Sequence, residues 1–88
     1  MHPTVAAVLA ARNKNAEILG VLDLVNKTDA KIEAIRLGEA IQFVANATVL
    51  GYDVRAAMVF YGERGTPSLR ANDCEELWAK YGAALLRP

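Results

Sequence analysis

The sequence predicts an α+β fold: a small mixed sheet in β-β-α-β-α order, covered by two helices. Three observations lead there. Residues 17–26, EILGVLDLVN, carry Ile, Val and Leu on nearly every side, so periodicity leaves strand and helix both open, and their place after the Asn13-Lys14-Asn15 turn favours strand. Residues 28–50 then run without proline up to Gly51, the pattern of one long helix. Residues 54–61, VRAAMVFY, set Val, Phe and Tyr beside Gly62 and lean toward strand. Strand, helix and strand in that order form a right-handed crossover with its two strands parallel.

Each element has its own grounds. Residues 4–12 and 17–26 are apolar runs separated by Asn13-Lys14-Asn15, a turn-forming tripeptide, and together they read as a hairpin. Alanine and leucine in the first run also favour helix. On a helical wheel, residues 29–50 carry two apolar faces. Ala34, Leu37, Ile41, Val44 and Ala45 form one; Ile32, Phe43, Ala47 and Leu50 form the other. Two faces mean a helix covered on both sides, within the domain or by a second chain. Residues 62–72 hold two glycines and a proline and read as a loop. The last helix spans 73–86. Asn72 with Glu75, or Asp73 with Glu76, supplies its capping box, and Cys74, Leu77, Trp78, Tyr81 and Leu85 its apolar stripe. The alternative is an all-helical bundle, with helices at 4–12, 16–26, 29–50, 53–61 and 73–86.

Composition bounds the rest. With 88 residues, positions 1–88 make one domain of small stability margin. Hydrophobic residues reach 53%, and 16 of them are alanine, so the core is built from small side chains. A core of that kind is often completed by a partner. Ten basic and ten acidic residues cancel, which argues against nucleic-acid and anionic-membrane partners. One cysteine cannot form an internal disulfide, no secretory signal is legible, and no apolar run approaches a membrane span. The expected compartment is the cytoplasm.

The stretch ILGVLDLVNK, with AAVLAARNKNAE before it and IRLGEAIQFVANA after it, resembles the C-terminal strand-turn-strand-helix part of GAF domains over residues 4–50. The resemblance implies strand then helix at 17–50, and a terminal helix that packs between subunits. It covers part of such a domain, and no ligand-contacting residue carries over.

Candidate chemistry is sparse. Cys74 sits among Asp73, Glu75 and Glu76 on an apolar stripe, which suits a buried core thiol. His2 has no ligand-forming neighbour. Gly62-Glu63-Arg64-Gly65 has a G-x-x-G form, but Glu63 cancels Arg64 and a turn suffices. Ala47 and Gly51 have helix-turn-helix spacing, yet the would-be recognition helix at 53–61 offers only Arg55 to a base edge. Asp23, Asp29 and Glu33 are the carboxylates nearest the strand-helix junction, where Asp29 serves as a first-turn charge. No catalytic, cofactor or metal site is expected. Two functions remain. One is a non-catalytic interaction module, a homodimer or a docking subunit, with Ile32, Phe43, Ala47 and Leu50 as its interface. The other is a small-molecule-binding protein or minor enzyme, with a pocket between sheet and helix lined by Phe60, Tyr61 and Trp78.

Overall fold

The computed structural model describes residues 5–61 and 68–87. Its elements are α1 (Val5–Ala10), β1 (Asn15–Asp23), β2 (Thr28–Arg36), α2 (Leu37–Asn46), β3 (Tyr52–Asp53), β4 (Met58–Phe60), β5 (Ser68–Arg70) and α3 (Ala71–Leu85). The fold is α+β. Its sheet order is β2-β1-β4-β5, with β3 paired to the far end of β1, and every pairing is antiparallel. β3 and β4 thus lie along one side of β1 as an interrupted strand.

The expected element order is corrected in three places. Residues 5–10 form a helix, not the first arm of a hairpin. Ala6, Ala7 and Ala10 favour helix, and only Val8 on it is buried. The hairpin instead joins β1 to β2. The expected helix over 29–50 is therefore two elements, a strand to Arg36 and a helix from Leu37. Finally, β1 and β4 are antiparallel, so there is no parallel crossover.

The strand-helix merger has a physical cause. β2 carries a bulge at Ala34, which adopts φ 55. Ala30, Ile32 and Ile35 all pack against the core, a spacing that strict alternation does not allow. The chain then turns at Arg36 with extended dihedrals and no side-chain cap, so no Ser, Thr, Asp or Asn marks the helix start. Backbone groups do that work instead. The Leu37 N–H donates to the Lys14 carbonyl at 2.9 Å, and the Gly38 N–H to the Arg12 carbonyl at 2.9 Å. These bonds satisfy two of the four N–H groups a helix start leaves open.

α2 and α3 pack on each other over one face of the sheet. The buried row Ile18, Val59 and Leu69 runs across β1, β4 and β5 beneath them. Leu37, Ile41 and Val44 from α2, with Cys74, Leu77 and Leu85 from α3, complete the core. α3 begins two residues before its expected start, where the Asp73 carboxylate accepts the Arg70 backbone N–H at 3.0 Å. Its stripe holds as expected: Cys74, Leu77 and Leu85 are buried, and Trp78 and Tyr81 pack against the core half-buried. Residues 68–70, expected in a loop, form β5. The expected strand at 54–61 is shorter, because 54–57 turn between β3 and β4.

Candidate functional site: an apolar end

Two turns meet at one end of the sheet. The first joins β1 to β2 and the second joins α2 to β3. The Leu24 N–H donates to the Gly51 carbonyl at 3.0 Å, which ties one turn to the other. A methyl group on Gly51 would lie 3.8 Å from Val25 Cγ2, so Val25 rests against the second turn.

Both turns are held by local hydrogen bonds. The Asp23 Oδ1 accepts the Val25 N–H at 2.9 Å and the Asn26 N–H at 3.1 Å, and its Oδ2 accepts the Asn26 side-chain amide at 2.9 Å. An aspartate bonding the backbone two residues ahead is a standard turn device. Those bonds, the Asn26 backbone first, hold the Asp23 carboxyl below its ordinary pKa. In the second turn, the Leu50 and Tyr52 N–H groups both donate to the Ala47 carbonyl at 3.0 Å. Gly51 takes φ 93, a conformation that side chains rarely adopt.

This scaffold pushes four aliphatic side chains into solvent. Leu24 is 51% exposed, Val25 80%, Leu50 62% and Val49 90%. A single exposed aliphatic is ordinary; here four stand on two hydrogen-bonded turns that are tied to each other. Beside it lies an open groove bordered by Leu24, Tyr52, Asp53, Arg55, Arg70 and Glu75. Arg55 clamps the Asp53 carboxylate with its Nε at 3.1 Å from both oxygens and its Nη2 at 2.7 Å. That bond lowers the Asp53 pKa and raises that of Arg55, so the rim carries a closed, neutral pair.

The expected interface does not exist as one surface. Ile32 lies on β2, opposite Ile18, and packs half-buried against the core. Phe43 on α2 also packs against the core, with its ring centroid 5.3 Å from that of Tyr52. Ala47 is fully buried. Of the four only Leu50 is exposed: Ile32 belongs to β2 rather than to the helix, and Phe43 and Ala47, on α2 and at its C-cap, are covered within the domain. Leu24, Val25 and Val49, the exposed neighbours of Leu50, were missed, because no periodicity gathers residues from two separate turns.

Nor do the expected pocket residues converge. Phe60 is half-buried on the sheet face away from the helices, next to the inward Val59. Trp78 lies on α3, on the other side of the sheet. Tyr61 is buried, and its hydroxyl has no hydrogen-bond partner among the described residues; burial pushes its pKa up.

The other candidates are quickly placed. Cys74 is buried and its pKa is pushed up to about 12 by burial, then by Asp73 and Glu75. A thiol so held is protonated and unreactive at neutral pH. Residues 53–61 form no helix, so the helix-turn-helix reading fails. His2 and the 62–65 segment lie outside the described residues. Among the described residues, no group of three His, Cys, Asp or Glu is placed to hold a metal ion, and no helix is long and apolar enough to cross a membrane. The chain matches no family model, no curated protein and no solved structure.

Proposed function

We propose that the chain is a non-catalytic interaction module that docks onto another protein through its apolar end. The observation that carries this reading is the cluster of Leu24, Val25, Val49 and Leu50, four aliphatics held out in solvent by hydrogen-bonded turns. The turns are ordered before any partner arrives, which lowers the entropic cost of docking. The neighbouring Asp53–Arg55 pair is neutral, so the partner's matching surface is apolar rather than charged. The lone, buried Cys74 suits a reducing compartment, in keeping with action in the cytoplasm.

Small-molecule binding is the second reading. A recess of about 240 Å³ lies between Leu69, Leu77, Lys80 and Tyr81. Ligand pockets usually span about 300–1,000 Å³. That recess is smaller, and in it Lys80 pairs with Glu76 at 3.0 Å and Asp73 caps α3; the groove beside the apolar end, at about 610 Å³, is the roomier candidate for a ligand.

The test is co-purification of tagged chain from its native cells, with Val25→Asp/Val49→Asp as the variant. The reading expects a defined protein with the wild type, lost with the variant and kept with an exposed control such as Ala79→Asp. Equal recovery with both variants would contradict it. Thermal unfolding against a metabolite library separates the second reading, which expects ligand-dependent stabilisation.

A further inference from the structure

β2 forms an open edge of the sheet. β1 pairs one side of it, and among the described residues no strand pairs the other. Such an edge offers unpaired N–H and C=O groups to any strand that fits. Two left-handed residues bracket its regular part, Lys27 and Ala34, each with φ 55. Between them, Thr28, Asp29 and Ala30 pair with successive residues of β1, and β2 carries no extra residue before Ile32.

Side chains on this stretch alternate in face and in sign. Asp29, Lys31 and Glu33 are exposed on the face away from the helices. Lys31 and Glu33 meet there at 2.7 Å, with side chains 60% and 57% exposed. Ala30 and Ile32 turn to the helix layer and are half-buried.

A second copy of this strand, antiparallel, meets that pattern in one of a few registers. An axis through Lys31 would set lysine on lysine and Asp29 on Glu33, and like charges directly opposite repel. An axis through Ala30 sets Asp29 opposite Lys31 twice within the strand. It also sets Ala30 on Ala30 and Thr28 on Ile32, and it stops short of the Ala34 bulge. Every charged pair in that register is unlike. We propose that β2 is a self-assembly edge, pairing antiparallel with β2 of a second copy about a two-fold axis at Ala30. The sheet then runs through both copies, with both helix layers on the same side. The two apolar ends lie on opposite sides of the axis, so the dimer presents two docking surfaces. The inference does not depend on what those ends bind.

The competing account is that these charges guard the edge against pairing, as edge lysines often do. Charge reversal separates the two. Sedimentation of the wild type should show a reversible dimer that weakens with salt. Asp29→Lys and Lys31→Asp should each weaken it by roughly tenfold or more, since each reverses two cross-strand pairs. An equimolar mixture of the two variants should restore a dimer, now a heterodimer. A monomeric wild type up to its solubility limit would overturn the proposal. So would a dimer insensitive to either variant, a dimer weakened by Lys31→Asp alone, or a mixture no tighter than its components. Should a variant fail to fold, wild-type amide exchange decides. Protection of residues 28–33 that rises with protein concentration supports the edge, and protection independent of concentration refutes it.

Discussion

Gly20 shows how one residue sets the register of the sheet. Its φ is 79, and a methyl group there would fall 2.2 Å from the Ala56 carbonyl oxygen. The bulge at Gly20 moves the inward positions of β1 from Ala16 and Ile18 to Val21, which keeps Val21 buried. Gly20→Ala meets both a forbidden backbone conformation and a backbone clash, at a cost on the order of 2–4 kcal/mol, read from chemical denaturation. Cys74 makes a second prediction. Its thiol ionises near 9.0 when free and near 12 in the fold. Between those values the folded chain keeps a proton that the unfolded chain releases, so rising pH favours unfolding. This contribution is present in full below pH 9 and falls by about 1.4 kcal/mol per pH unit above it. The stability gap between wild type and Cys74→Ala should therefore narrow between pH 9 and 11.

Among the elements, α3 was the most legible in the sequence and β2 the least. α3 has a single apolar stripe at helical spacing, and Cys74, Leu77 and Leu85 fall in the core as that stripe requires. β2 and α2 share a continuous apolar pattern without a capping residue between them, and two bulges break the period-two signal on either side. No local rule finds the boundary at Arg36, because the groups that cap α2 are carbonyls of the distant Arg12 and Lys14. The apolar end was half legible. Leu50 was singled out, but its neighbours come together only through the Leu24–Gly51 hydrogen bond. The turns make their own prediction. Val25 and Val49 touch water over most of their surface, so Val25→Asp/Val49→Asp should change stability by no more than about 0.5 kcal/mol per site. Thermal unfolding checks this. A larger loss would mean the two valines are packed rather than presented.

At the scale of the molecule, the described residues combine an antiparallel sheet with α2 and α3 packed on each other over one of its faces. The α+β class followed from apolar runs that periodicity leaves open, with the resemblance over residues 4–50 deciding for strand. The all-antiparallel topology did not, because it depends on where β2 ends. What distinguishes the surface is its apolar end, which under the proposed function meets another protein. Site-directed photo-crosslinking tests it most directly. A photoreactive phenylalanine analogue is placed at Val49 in the full chain, and at Lys80 as a control, in the native cells. The account predicts a discrete adduct of defined mass from position 49 and none from position 80. No adduct from position 49, or the same diffuse products from both positions, would contradict it.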